Sequence, residues 1–501
     1  MVARPKSPCD ALLPQFYAGR SIFITGATGF MGKVLIERLL STCPDVGRLH
    51  LLMRHKKGEA PEKRLLVLKQ SQVFDILRQT NPSQLDKLCI IPGDVSQPGL
   101  GITGSDLKEL QEVSIVFHSA ATLKFDEALP TAVEQNVLSV MRLMDICDTL
   151  PNLQALVHVS TAYSNPERKV IEEKVYSAPA PLPRLLALVD AVPPPLMANI
   201  TSQYIKPKPN TYTFTKAMAE EAINTRPNKT YPIAIFRPTI VVCSLRHPYP
   251  GWIENLNGPS GVVAAAGKGL LHVFRRKPDA RADLLPVDIA IDTMLAVAWE
   301  TAVDKLNYPK GFRKCQNKDI FHHGIYLIPE FLRSECTTAV HLKIQLRGWR
   351  SRIHCKNSFR YAYKLLEMFL QTIPLHVAEY IIRTLGFKMK LSLITADKKI
   401  RAMSGVLAFF ALREWHFKTD NVAKLRARLT PSDSAIYNLD PKSIEMYILH
   451  KSVLFFLMIL LFRLIIQNKS IREVVYGTVK LLISLLFAAY SRHFFASGSN
   501  I

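Results

Sequence analysis

The chain has 501 residues, 48% of them hydrophobic, so it is long enough for one large domain and a smaller one. A net charge of +23 favours anionic partners such as a dinucleotide phosphate, an acyl-CoA or a membrane surface. The sequence has no long basic block or interleaved aromatic pattern of the kind that would indicate nucleic acid. The eight cysteines lie apart, without CxxC pairs or histidines at metal-ligand spacing, which argues against a zinc site and a disulfide framework.

Short apolar segments alternate with helical patterns along the first half of the chain. The helical patterns include residues 33–40 and 133–147. The apolar segments predict strands at residues 21–25, 49–53, 89–92, 113–118, 155–160 and 233–236. Alternation at this spacing indicates an α/β fold, a Rossmann-like doubly wound parallel sheet with helices on both faces.

Three glycines separate the first predicted strand from the first predicted helix, in the sequence TGATGFMG at residues 25–32. Gly26 permits a sharp turn, Gly29 lets the backbone approach a pyrophosphate, and Gly32 allows the helix to pack closely on the strand. The free N–H groups and the positive dipole end of the helix favour a phosphate. The position of the glycines therefore predicts a dinucleotide site.

The residues that follow the next strands indicate which dinucleotide binds. Arg54 stands where NAD sites usually present an acidic residue, and a guanidinium can bind a 2′-phosphate through two hydrogen bonds, so we predict NADPH. Asp94, followed by Val95 after the third strand, suits the adenine. Ala120 and Ala121 after the fourth strand are small enough to let the cofactor pass.

The sequence YTFTK places Tyr212 and Lys216 four residues apart, on one face of a helix. An ammonium beside a phenol favours the phenolate, so we expect the Tyr212 pKa to fall below its usual value of about 10. The tyrosine would exchange a proton with a carbonyl oxygen while the lysine holds the nicotinamide ribose. Thr161 or Ser160, after the fifth strand, would hydrogen-bond the substrate oxygen, and Asn136 would complete a proton path or serve as an ordinary helix residue.

These motifs carry a resemblance to known enzymes. TGATGFMG, HSAAT, HVSTAYSN, PNTYTFTK and FRPTIV, in this order and spacing, resemble the extended short-chain dehydrogenases. GWIENLNGP, ADLLPVD and REWHFKTDN narrow the resemblance to the fatty acyl-CoA reductases. The resemblance covers about residues 16–302 and 359–450.

The resemblance implies that NADPH reduces a long-chain fatty acyl-CoA to a fatty alcohol with release of CoA. It implies Tyr212 and Lys216 as catalytic residues, Thr161 or Ser160 as their partner, and the glycine loop as the NADPH site. Besides its glycines, that loop contributes Thr28, Phe30 and Met31. Two alternatives remain open: a membrane-bound dehydrogenase acting on a sterol or sugar nucleotide, and a non-catalytic NADPH-binding or lipid-surface scaffold.

The sequence divides into four parts. Residues 16–302 form the predicted NADP-binding domain, in which the proline-rich stretches at 178–183 and 193–195 indicate an inserted loop. Residues 303–357 are a divergent segment, basic and without apolar periodicity, in which the family's usual Tyr-Asn-containing strand motif is not found. Residues 358–450 form a helical region, with patterns at 361–370, 378–385 and 394–412. Residues 451–490 are membrane-associated.

The apolar runs near the C-terminus predict attachment to a membrane. Residues 453–462 and 481–490 are each shorter than a clean spanning helix of about 18 residues. A window over 447–466 is long enough, with Lys451 and Arg463 able to reach the head groups. Four structures of these runs stay open: a spanning helix, a shallow hairpin, interfacial helices, or a pair of buried core helices. Because the first 14 residues contain no secretory signal, we expect an intracellular membrane. The resemblance implies a peroxisomal, endoplasmic-reticulum or lipid-droplet membrane. A homo-oligomer is left open.

Overall fold

The computed structural model describes residues 11–56, 58–227, 230–254, 257–268, 270–274, 277, 282–306, 360–386 and 392–440. All of these fall within one structural unit, Met1–Pro441. The strands are β1 Ser21–Thr25, β2 Leu49–Met53, β3 Leu88–Pro92, β4 Val113–His118, β5 Ala155–Val159, β6 Val170–Ile171, β7 Ile233–Phe236, β8 Ile240–Val242, β9 Leu284–Pro286 and β10 His416–Phe417.

The helices of the first three hundred residues are α1 Leu12–Tyr17, α2 Phe30–Thr42, α3 Pro61–Lys69, α4 Asp75–Thr80, α5 Gly104–Glu109, α6 Leu129–Val133, α7 Ser139–Cys147, α8 Leu182–Ala191, α9 Pro194–Tyr204, α10 Thr211–Thr225, α11 Pro259–Gly267 and α12 Val287–Leu306. The later helices are α13 Arg360–Glu367, α14 Ile373–Thr384, α15 Leu393–Ala411, α16 Asp420–Arg428 and α17 Pro431–Ile436. A π-helical turn, Glu134–Leu138, joins α6 to α7, and another, Met368–Thr372, joins α13 to α14.

The central sheet has six parallel strands in the order β3-β2-β1-β4-β5-β7. All six predicted strands are confirmed, with β3 beginning one residue earlier and β5 ending one residue earlier than predicted. Strands β1, β2, β4, β5 and β7 are buried along their whole length, as strands covered on both faces must be.

Helices cover both faces of this sheet, so the doubly wound prediction is confirmed. On one face, Leu143 and Met144 of α7 and Ile223 of α10 pack against Phe23 of β1 and Val116 of β4 in one buried cluster. On the other face, α12 packs against α2 and against strands β5 and β7.

The proline-rich stretches form a loop only at residues 178–181, so the loop prediction is wrong for the rest of them. They begin two helices, α8 and α9, each with proline in its first turn. Proline fits there because its fixed φ is helical and the missing N–H would have no partner in the helix. Leu185 of α8 and Met197 of α9 are buried with Phe214 of α10, so the two helices support the helix that carries Tyr212.

The last described segment packs back onto the first domain. The Arg38 guanidinium lies 2.7 Å from the Asp292 carboxylate, and both side chains are buried. Arg38 also donates to the carbonyl of Ile436, and Asp292 accepts from the N–H of Asn438. A buried ion pair with these further hydrogen bonds fixes where the C-terminal region lies on the sheet domain.

The helical region predicted from residue 358 is confirmed from Arg360 onward in α13, α14 and α15. Within the described residues, the stretch Tyr363–Thr384 is long and apolar enough to cross a membrane, judged by length and composition alone. Of the predicted divergent segment, residues 303–306 end α12 and residues 307–357 lie outside the described residues. The predicted membrane-associated residues 451–490 lie outside them as well.

Candidate active site

The residues predicted to bind a cofactor or substrate gather at one edge of the sheet. The strands are parallel, so their carboxyl ends point the same way and ligands bind beyond them. Five of the predicted residues follow five neighbouring strands: Gly26, Arg54, Asp94, Ala120 and Thr161.

The glycine loop is shaped by close backbone contacts. Gly26 has φ +76°, and a Cβ added there would lie 2.7 Å from the amide nitrogen of Ala120. A Cβ added at Gly32 would lie 2.3 Å from the carbonyl oxygen of Gly26. Gly29 caps α2 without a side-chain hydrogen bond, so the first N–H groups of this helix are open to an anion. A pyrophosphate fits this arrangement.

Residues 252–254 of the GWIENLNGP motif lie against the start of α2. The ring of Phe30 stacks on Trp252 with centroids 5.3 Å apart, and Lys33 forms an ion pair with Glu254. Met31 is half-buried beside them. A motif that the resemblance singled out is therefore in contact with the predicted cofactor loop.

A guanidinium group that the sequence did not indicate lies at the glycine loop. Arg64 of α3 donates to the Thr28 hydroxyl at 3.1 Å and to the Arg54 carbonyl at 2.5 Å. Partial burial and the neighbouring Arg54 lower the pKa of Arg64. Sequence reasoning missed Arg64 because a surface helix with regularly spaced charges looks solvated, and only the fold brings α3 to the loop.

Asp94 is bonded within its own loop. Its carboxylate accepts from the N–H and the hydroxyl of Ser96, at 3.0 and 2.9 Å, and pairs with Arg54 at 3.2 Å. Burial opposes ionisation, but these hydrogen bonds and the guanidinium outweigh it and lower the pKa of Asp94. The carbonyl of Val95 accepts from Arg142, and its side chain packs on the core. Arg54 and Asp94 therefore border the site as an ion pair.

Tyr212 stands in the first turn of α10, where the Asn210 side chain caps the helix by accepting from the N–H of Thr213 at 2.8 Å. The Thr161 side chain lies beside the phenol, and the ring stacks on Phe125 with centroids 5.5 Å apart. Desolvation raises the pKa of Tyr212 to about 12, against the lowering effect of Thr161.

The expected lowering of the Tyr212 pKa is therefore wrong in this structure. The reason lies in the direction of Lys216, whose ammonium donates to the carbonyl of Val159 at 2.7 Å. Burial lowers the pKa of Lys216 to about 8, with Glu220 acting in the opposite direction. The spacing of four places both residues on one face, as predicted, but the amine is held by the backbone of β5.

The two hydroxyl candidates have different partners. The Ser160 hydroxyl donates to Glu220 at 2.5 Å, and Glu220 also accepts from Arg237 at 2.8 and 2.6 Å. All three side chains are buried. Ser160 thus belongs to an ion-pair network that ties β5 to α10, and Thr161 is the candidate that faces Tyr212.

Asn136 joins two parts of the site instead of standing free in a helix. It lies in the π-helical turn between α6 and α7, where its amide accepts from the N–H of Thr122 at 2.9 Å. The same amide donates to the Thr215 hydroxyl at 2.9 Å. Asn136 therefore connects the loop after Ala121 to the helix that carries Tyr212.

Two buried histidines lie beside Lys216. The rings of His118 and His158 stack with centroids 5.4 Å apart, and His118 is hydrogen-bonded to Thr25 at 2.7 Å. Burial, helped by Lys216, lowers the pKa of His118 to about 3 and that of His158 well below its usual value. Both imidazoles are therefore neutral at physiological pH and leave Lys216 as the charged group.

The REWHFKTDN motif supplies one wall of the site. Strand β10 pairs with β6, and the Trp415 indole donates to the carbonyl of Pro166 at 3.0 Å. Trp415 packs edge-on against Tyr163, two residues after Thr161. Phe410 contacts Phe125, the ring that stacks on Tyr212. Local sequence gave no reason to join these segments, which lie about 250 residues apart.

Family models described as male sterility protein match residues 24–294 and 370–458. The chain is 36% identical to fatty acyl-CoA reductase 1 of Xenopus laevis over 442 residues, 86% of this chain and 83% of that protein. Its identity to fatty acyl-CoA reductase 1 of Homo sapiens is 34%, with the same coverage. Its identity to fatty acyl-CoA reductase wat of Drosophila melanogaster is 33%, over 87% of this chain and 83% of that one.

A solved structure shares the fold. The terminal R domain from the myxalamid PKS-NRPS biosynthetic pathway superposes with a TM-score of 0.52 at 18% identity, covering 84% of this chain and 90% of that one. At this identity the likeness extends to the fold alone. Together with the NAD-binding family model, the glycine loop assigns a nicotinamide cofactor to the first domain.

Proposed function

The chain belongs to the fatty acyl-CoA reductase family, and from this membership we propose that it uses NADPH to reduce a long-chain fatty acyl-CoA to the fatty alcohol, with release of CoA. The observation that supports this most directly is the position of the Thr161 side chain beside the Tyr212 phenol, at the carboxyl edge of the sheet. It sets a proton donor beside a hydroxyl group at the edge of the sheet where ligands bind.

The proposed chemistry assigns a task to each side chain. NADPH held by the glycine loop would supply hydride, one molecule for each of the two reductions, and CoA would leave as the thiolate between them. Tyr212 and Thr161 donate hydrogen bonds to the thioester oxygen and stabilise the negative charge that develops there. In the second reduction Tyr212 gives its proton to the aldehyde oxygen, for which a phenol that is protonated at neutral pH is suited.

Lys216 and Asn136 support this pair. The Lys216 ammonium is charged below about pH 8 and supplies positive charge where the cofactor's ribose hydroxyls would lie. Asn136 keeps the loop after β4 and helix α10 at a fixed separation through Thr122 and Thr215. The positions of Tyr212 and of the cofactor loop are thereby coupled.

The choice of NADPH over NADH is proposed from the charges near Thr28. Arg54 and Arg64 lie next to one another there, and β2 is followed by no acidic residue before Glu59. A 2′-phosphate would meet two guanidinium groups, whereas the ribose hydroxyls of NADH would meet no acceptor of the usual kind.

Membrane attachment is proposed as well, and rests on the sequence. The apolar residues 451–490 would hold the enzyme at a peroxisomal, endoplasmic-reticulum or lipid-droplet membrane, where a long-chain substrate and an alcohol product partition. Imaging of the full chain and of a chain ending at residue 446 with organelle markers tests this proposal, which fails if the two distribute alike.

The experiment for the activity uses purified full-length protein with NADPH and palmitoyl-CoA. We expect free CoA and hexadecanol, with two NADPH oxidised for each alcohol formed. The same assay with NADH should be much slower. Oxidation of NADPH by a sterol or a sugar nucleotide, with no CoA released from palmitoyl-CoA, would contradict the proposal.

A further inference from the structure

The inner face of the helical stretch over residues 363–385 carries two buried polar side chains, on either side of Leu375. Gln371 is fully buried, and its amide donates to Asp397 at 2.9 Å and accepts from the N–H of His272 at 3.3 Å. Glu379 is buried on the same face and accepts from the hydroxyl of Ser392 and from the N–H at the start of α15. These contacts hold the stretch against the rest of the domain.

The outer face of the stretch is apolar. Every fourth residue along it is apolar and between 42% and 66% exposed, which includes Leu365, Phe369, Ile373, Val377, Ile381 and Leu385. A π-helical turn within the stretch, wider than an α-helical one, keeps a spacing of four nearly in line. A helix on a water-soluble surface shows the opposite arrangement, with its apolar stripe buried.

The charges around this face have one sign. In residues 363–386 and 392–412, the exposed charged side chains are all basic: Lys364, Arg383, Lys398 and Lys399. Of the acidic residues there, Glu379 and Asp397 are buried in ion pairs and Glu367 is half-buried. An apolar stripe with a basic rim matches the surface of an anionic lipid bilayer.

We propose that this face, from Leu365 to Leu385, lies in the surface of an anionic membrane with the helix axis parallel to it. To span the bilayer, the helix would have to separate from the rest of the domain, and Gln371 and Glu379 would lose their present partners. If a second copy of the chain bound this face through its own, two basic rims would meet, and repulsion between like charges would oppose that contact.

The membrane face is connected to the active site. Helix α15 packs on α14 and ends in Phe409 and Phe410, and Phe410 contacts Phe125 beside Tyr212. If the proposed function holds, an acyl chain that follows α15 from this face reaches the rings of Phe409, Phe410 and Phe125, which lead to Tyr212. The membrane contact therefore also defines where the substrate enters.

The test measures lipid contact at one position. Full-length protein with Phe369→Trp is mixed with phosphatidylcholine–phosphatidylserine vesicles whose acyl chains carry bromine, a quencher of indole fluorescence. Leu66→Trp is the matched control, because Leu66 is 60% exposed on α3 at the other end of the chain. We expect brominated lipid to remove most of the emission added at position 369 and to leave that at position 66 unchanged.

Three results would overturn the inference. The protein does not bind the vesicles, or it binds them and both added indoles stay unquenched. In the third, the emission at position 369 shifts without lipid and the shift grows with protein concentration. The last would indicate a second copy on this face. Quenching does not depend on turnover. If position 369 is quenched but the protein does not reduce palmitoyl-CoA, only the proposed function is contradicted, and the membrane contact stands.

Discussion

The Thr161 side chain lies beside the phenol of Tyr212, and desolvation raises the phenol's pKa to about 12. The tyrosine therefore carries its proton throughout the physiological range. A group that donates a proton to a developing alkoxide needs to be protonated, so this environment suits reduction of a carbonyl. Thr161 follows β5 and Tyr212 lies in α10, and the buried Ser160–Glu220 contact holds these two segments together.

Gly32→Ala is expected to impair cofactor binding. The new methyl group would lie 2.3 Å from the Gly26 carbonyl oxygen, so the loop must move, at a cost of about 1–3 kcal/mol. Gly405→Ala is the control, because no atom lies within 4 Å of its added Cβ and alanine favours a helix by up to ~1 kcal/mol. Titration of NADPH fluorescence and a denaturant melt measure both effects, and equal NADPH affinity in the two variants would count against the assigned loop.

Arg64→Ala is expected to weaken NADPH binding by about 10- to 100-fold, because a charge-assisted hydrogen bond to phosphate is worth about 1.5–3 kcal/mol. NADH binding should change little, since NADH has no 2′-phosphate. Lys63→Ala, an exposed neighbour on the same helix, is the control. Fluorescence titration with both nucleotides separates the cases, and an equal loss for NADPH and NADH would remove Arg64 from 2′-phosphate recognition.

The contrast between Arg54 and Arg64 illustrates what the sequence can predict. Arg54 was found because it directly follows a strand, and residues at the carboxyl ends of parallel strands converge whatever the details of packing. Arg64 reaches the same place only through the path of the chain between β2 and α3, which no local pattern encodes. The strands and the glycine loop were predictable because local patterns encode them. The aromatic wall of Phe410 and Trp415 was not predictable, because it depends on the path of the chain.

The Tyr212 pKa was mispredicted for a related reason. Spacing on a helix predicts that the two side chains share a face, but it does not give the rotamer that directs Lys216 to the Val159 carbonyl or the degree of desolvation. In the same way, proline content alone does not distinguish a loop from a helix that begins with proline, as α8 and α9 do.

The pH dependence of turnover should follow Lys216. Burial lowers the pKa of this amine to about 8, so the ammonium is present below that pH and is lost above it. We expect kcat/KM to be level on the acid side and to fall as pH rises through about 8. Lys216→Met should lower kcat/KM by about 10²- to 10⁴-fold and lack this transition. A wild-type profile that stays flat well above pH 8 would contradict the role of the ammonium.

Glu220→Ala should destabilise the fold. It leaves Arg237 buried without its carboxylate partner, which typically costs about 3–5 kcal/mol. Glu221→Ala, the next residue on α10 but only half-buried, should change the free energy of unfolding by less than about 0.5 kcal/mol. Denaturant unfolding of both variants measures the difference, and similar stabilities would show that the buried pair is not needed.

The most direct test of the account compares Tyr212→Phe with the wild type in single-turnover reduction of palmitoyl-CoA and in NADPH titration. Removing one hydroxyl should lower the rate of alcohol formation by about 10²- to 10⁴-fold, since the proton donor is lost. NADPH affinity should remain within about threefold of the wild type, because the variant keeps the ring and its stacking on Phe125. Alcohol formation at the wild-type rate would contradict the central claim that this phenol carries the reaction.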